Sequence, residues 1–205
     1  MEDIKNIFFK SIDNINNILA LYDYLERNHF NAVDFSDILR WVWVQSLSVL
    51  DKFLHDIILK GMVIQFLDYG DMTEKLKNFK FTANQAKNLS SITDLLEREK
   101  IVRQIFSERN NCETYQDPEK ICDALSYIWN ENHKLKKISS KMGMTDKYVK
   151  EKLKIIVSRR NQIAHQNDIQ SHNFDKTPIN KDNTKDVLVF IRNLGEAIYE
   201  CINET

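Results

Sequence analysis

From Ser36 to Ile58 the chain runs without a glycine or a proline. Val44, Leu47, Leu50, Phe53, Leu54 and Ile58 spread apolar surface over much of a helix circumference. A helix that is apolar on most sides must be enclosed by other elements, so this one belongs at the centre of a fold. Ser36 is its expected N-cap. Arg40, Ser46 and Asp51 are its polar interruptions. A carboxylate such as Asp51 in so apolar a helix requires a partner. Arg160 or His165 would make that pairing functional; Arg40, His55 or solvent would make it structural.

What surrounds the central helix reads as further helices. With 42% hydrophobic residues but only 4 Gly and 2 Pro in 205 residues, the chain favours long helices joined by few sharp turns. Ile4, Phe8, Ile12, Ile15, Leu19, Tyr22 and Leu25 form one stripe over Asp3 to Arg27. Phe79 to Asn88 reads as a connector, and Ser91 as the cap of a helix through Ile92, Leu95, Leu96, Val102, Ile105 and Phe106. Asp117-Pro118 is a helix start, leading through Ile121, Leu125, Ile128 and Trp129. A short helix through Leu135 and Ile138 stops at Gly143, and Thr145 caps the next one. After it, Gln166 to Pro178 reads as a loop too hydrophilic to bury. Thr184 is the expected cap of a last helix with Val187, Ile191, Leu194, Ile198 and Ile202 inward. The length suits one domain over residues 1–205.

No apolar run is long enough to cross a membrane, since Asp51 and Lys52 cut the greasiest segment. Met1-Glu2-Asp3 does not begin a signal peptide. Cys112, Cys122 and Cys201 are scattered without metal-ligand spacing, which suits reduced thiols in a cytoplasmic protein.

The net charge of −1 hides a local excess. Between Lys134 and Arg160 there are ten lysines and arginines against Asp146 and Glu151. Clustered cations of this kind attract polyanions, although most lysine-rich stretches are solvated helix faces. This stretch leads into Ser158-Arg159-Arg160-Asn161-Gln162-Ile163-Ala164-His165. A guanidinium holds two phosphate oxygens in a planar fork, and imidazole exchanges protons near neutrality. Asn161 and His165, four apart, share a helix face, while Arg160 lies about 140° round the helix from His165. Either the helix loosens near His165, the arginine bends round it, or a second copy completes the site. A structural alternative also stands: Arg160 continues the stripe Leu153, Ile156, Val157, Ile163, Ala164 and could meet a core carboxylate, and His165 could simply favour a helix C-terminus.

Arg160 and His165, separated by four residues and set in Arg-Arg-Asn-x-Ile-Ala-His, resemble the signature of HEPN domains. With Arg40, Ser46 and Asp51 on a central helix and a short basic hairpin before the motif, the chain is most similar to the RiboL-PSP-HEPN branch, although Gln166 stands where that branch often has glycine or glutamate. The resemblance implies an all-α HEPN-like bundle of long antiparallel core helices with extra short ones. It implies a homodimer with a composite site and metal-independent RNA cleavage, without a cofactor, in phage defence or as a toxin with an antitoxin or defence-system partner. Arg160, His165 and Asn161 would be catalytic. Arg159, Lys154 and Ser158 would bind substrate, and Asp51 would support the site. Two alternatives remain: an inactive HEPN domain that binds RNA or regulates, and a helix-turn-helix DNA reader over residues 137–155. The second draws on Gly143 and Val149 but places Lys152 where a buried apolar residue is usual.

Overall fold

A computed structural model describes residues 1–28, 33–68, 71–170 and 175–204. Among these the regular elements are helices: α1 (Glu2–Arg27), α2 (Ser36–Leu67), α3 (Glu74–Lys77), α4 (Ala83–Ser91), α5 (Leu95–Asn110), α6 (Pro118–Leu125), α7 (Lys134–Lys141), α8 (Asp146–Gln166) and α9 (Lys181–Asn203). A single antiparallel bridge joins Ile169 and Lys176. The chain is thus an all-α bundle, and none of its described helices is long and apolar enough to cross a membrane.

α2 is central, as its apolar circumference requires: Leu39, Val42, Leu47, Leu50, Leu54 and Ile57 are fully enclosed. Side-chain pairings fix the directions around it. Phe8 stacks on Phe53 at 4.7 Å and Asp3 meets Lys60 at 3.5 Å, so α1 and α2 run antiparallel. The Tyr199 hydroxyl donates to Glu2 at 2.6 Å while Asp23 pairs with Lys181, so α9 is antiparallel to α1. These helices approach closely, because a β-carbon at Gly195 would lie 2.4 Å from the Phe8 ring. The Trp43 indole donates to the Ile156 carbonyl at 3.1 Å, which seats α8 against α2.

Several boundaries differ from the sequence reading for identifiable reasons. Residues 79–88 are not all connector: Thr82 and Gln85 form a reciprocal capping box that starts α4. Ser91 ends that helix, and α5 is capped instead by Asp94, which accepts from Glu97 N–H. Ser36 is the first residue of α2, and Asp34 accepts from both its amide and its hydroxyl. Asn180, not Thr184, caps α9; the buried Thr184 hydroxyl donates to the Asn180 carbonyl. The helix begun by Asp117-Pro118 ends at Leu125, before Ile128 and Trp129. Thr145 does cap α8, and Gly143 takes the left-handed turn before it at φ 66°.

The segment after α8 gives the largest difference. It reads as too hydrophilic to bury, yet Asp168 within it is buried. Part of that loop, residues 171–174, lies outside the described residues.

Candidate functional site at the end of α8

α8 is a regular helix from Asp146 through Gln166, so it does not loosen before His165. Leu153 and Ile156 fasten it to the core, with Val157 and Ile163 packed at its edge. The opposite side is open. Lys154, Ser158, Asn161 and His165 are all exposed, and their spacings of four, three and four place them along one face.

Arg160 is half-buried at the margin of this face, and its guanidinium bends onto it. Nη1 donates to Asn161 Oδ1 at 3.0 Å. That bond turns the Arg160 guanidinium toward the residue that shares a helix face with His165. No carboxylate pairs with Arg160 among the described residues, and its buried Nε–H finds no acceptor there. An unneutralised guanidinium with an unsatisfied donor beside an exposed imidazole is the chemistry of an anion site. His165 has no side-chain partner among the described residues, and it stands in the last turn of α8.

Arg159 has a different occupation from the phosphate-holding role inferred from sequence. Its Nη1 lies 2.6 Å from Asp168 Oδ1, and its Nη2 donates to Asp168 Oδ2 at 2.8 Å. Nη2 also faces the carbonyls of Thr177 and Pro178 at 3.1 and 3.3 Å. Arg40 of α2 donates through Nε to the same Oδ2 at 2.7 Å, through Nη1 to Ser36 Oγ at 2.6 Å, and through Nη2 to the Thr177 carbonyl at 2.8 Å. The Asp168 side chain is 0% exposed and that of Arg159 13%. Burial, with Arg40 adding to it, pulls the Arg159 guanidinium below its usual pKa; Asp168 works the other way. This arginine is held inside the protein. The core carboxylate envisaged for Arg160 thus exists, but it serves Arg159 and Arg40.

Asp51 is also placed away from the motif. Its Oδ1 accepts from Tyr115 N–H at 2.6 Å, and His55 Nε2 lies 3.8 Å from Oδ2. The His55 ring stacks on Tyr115, whose phenol is pushed up to about 12, chiefly by burial. The structural pairing with His55 is the one realised, and Asp51 does not support Arg160 or His165 directly.

The basic stretch is likewise broken up. Lys137, Lys141 and Lys150 pair with Glu131, Glu204 and Glu119, Lys134 is buried against Trp129, and Lys152 lies 5.1 Å over the Phe190 ring. Stacking on Phe190 explains how a lysine fits where a helix-turn-helix would place an apolar side chain. The helix of that hairpin is the same one that carries Arg160, and its first turns are fixed by the buried Val149. Among the described residues no three histidine, cysteine or carboxylate side chains gather as a metal would need. The three cysteines are free thiols.

Comparison with known families adds one finding. The family model described as RiboL-PSP-HEPN matches residues 10–204, which spans every helix that builds the site. No curated protein and no solved structure matches the chain significantly.

Proposed function

The chain belongs to the RiboL-PSP-HEPN family, and from that premise we propose that it is a metal-independent endoribonuclease whose catalytic groups are Arg160, Asn161 and His165. The observation that carries this reading is the Arg160–Asn161 hydrogen bond, which turns a guanidinium with no carboxylate partner among the described residues toward the face that presents His165. A phosphodiester seated there would meet a bidentate cation and a proton carrier together.

The chemistry follows from those groups. The ribose 2′-hydroxyl attacks the adjacent phosphorus, an intramolecular step favoured by proximity. His165 takes the proton from the 2′-oxygen or gives one to the departing 5′-oxygen. Its copy in a second chain takes the other role, since the remaining described histidines, His55 and His133, belong to other parts of the fold. Arg160 stabilises the charge that grows on the phosphorane oxygens. Asn161 orients Arg160, and Lys154 and Ser158 extend the face toward a flanking phosphate. The P–O5′ bond breaks, leaving a 2′,3′-cyclic phosphate and a 5′-hydroxyl. Exposed Ala164 beside His165 offers little side chain to keep a second copy away. A nuclease of this kind suits phage defence or a toxin role, restrained by an antitoxin or a defence-system partner.

The test is to incubate the pure protein with total RNA in EDTA and to identify the ends. Cyclic phosphate and 5′-hydroxyl termini are expected, with the rate reduced by at least about a thousandfold in His165→Ala. A strict Mg²⁺ requirement, or an unchanged rate in His165→Ala, would overturn the reading. RNA binding without cleavage would leave an adaptor instead.

A further inference from the structure

Asp168 lies three residues beyond His165 in a largely polar stretch, and the cleavage chemistry above makes no use of it. Three observations define its part. First, Asn167 and Asp168 both adopt left-handed backbone conformations, at φ 51° and 60°, without a glycine. Asparagine and aspartate tolerate that region better than other side chains, but two in succession persist only where the surroundings hold them. The double turn directs the Asp168 side chain back into the protein. Second, its carboxylate is gripped from two helices, by Arg40 of α2 and by Arg159 of α8. Third, its main chain is tied on both sides: Asp168 N–H donates to the Gln162 carbonyl at 3.1 Å, and Thr177 N–H donates to the Asp168 carbonyl at 2.8 Å.

These bonds all bear on the last turn of α8. Helix ends fray, and a final turn keeps its shape only if something beyond it holds it. His165 sits in that turn, exposed and without a side-chain anchor among the described residues. Its aim is therefore set by the backbone beneath it. Arg159, six residues before His165, closes the clamp from within the same helix.

We propose that Asp168 is a positioning residue for His165: by binding Arg159 and Arg40 at once it fixes the C-terminal turn of α8 against α2 and holds the imidazole on the face where Arg160 and Asn161 meet. The consequence for rate rests on the ribonuclease reading. The geometric claim concerns only how His165 is held.

Asp168→Asn tests it, because asparagine keeps the size and the left-handed tolerance but removes the charge that both arginines contact. At saturating RNA, kcat should fall about tenfold while KM stays within about twofold, as for a reacting group displaced without loss of substrate contacts. Independently of activity, the His165 imidazole signal in ¹H–¹⁵N spectra should broaden or shift while those of His55 and His133 stay in place. If Asp168→Asn does not fold, Arg40→Gln releases one arm of the clamp and is read by the same two measurements. Wild-type kcat together with an unmoved His165 signal in a folded variant would overturn the proposal. So would disturbance of the His55 and His133 signals equal to that of His165, which marks general loosening. Should the wild type cut no RNA, the ribonuclease reading fails alone, and the His165 signal still decides whether Asp168 positions it.

Discussion

Arg159 and Arg160 are adjacent on α8, yet the fold gives them opposite surroundings. The first points inward, where one carboxylate from the segment directly after α8 and one arginine from α2 complete a buried knot. The second stays at the open margin, with an amide as its side-chain partner among the described residues. A 100° step round the helix separates a group whose charge is used to hold the protein together from one whose charge is left for a ligand. Buried ion pairs are costly to break, because removing one partner strands the other away from water. A half-buried cation that forms no ion pair strands no partner when it is removed, so its loss costs little. The difference teaches that the doubled arginine is two devices in succession rather than one duplicated phosphate grip.

Substitutions at Arg160 sharpen that contrast most. Arg160→Lys should cost nearly as much activity as Arg160→Ala, roughly a hundredfold or more, because a point charge cannot reproduce a planar two-oxygen grip. Near-wild-type cleavage by Arg160→Lys would reduce the residue to general electrostatics and erase the distinction between the two arginines. A smaller effect is expected at Lys154, farther along the same face. Lys154→Ala should raise KM a few-fold and lower the slope of log affinity against log salt by about one, with kcat kept. An unchanged salt slope would show that the RNA does not run along this face. The smallest effect concerns the second copy. Mixing equal amounts of wild type and His165→Ala, with time to exchange, should lower activity per wild-type chain to about half if each site needs an imidazole from both chains of a twofold dimer. No loss on mixing would make each chain's site complete in itself.

How far this contrast can be seen in the sequence depends on the range of the interactions involved. α8 is legible because its signals are local: Thr145 as cap, Gly143 in the preceding turn, and an apolar stripe ending in Arg-Arg-Asn. α2 is legible because so much of it is apolar. The Arg159 clamp is not, because Asp168 meets Arg40 across 128 positions of the chain and lies among polar residues that by composition belong in water. The one local hint is Asn167-Asp168 itself, two residues suited to left-handed turns directly after a helix. α4 escaped because its apolar pattern is thin, although Thr82 and Gln85 carry the spacing of a capping box. For Asp51 the sequence leaves both the motif and the neighbouring His55 open, and its partners are His55 and the Tyr115 backbone, which the packing of α2 brings close.

Measuring thermal unfolding and RNA cleavage side by side for Arg159→Ala and Arg160→Ala tests this division most directly. Arg159→Ala should lose about 3 kcal/mol of stability, a drop of roughly 6–12 °C in Tm, while cleaving RNA only about tenfold more slowly at temperatures where it is folded. Arg160→Ala should unfold within a degree or two of wild type and lose about a hundredfold or more in kcat. The reverse pattern, a stable but inactive Arg159→Ala beside a destabilised, active Arg160→Ala, would contradict the assignment of the two arginines.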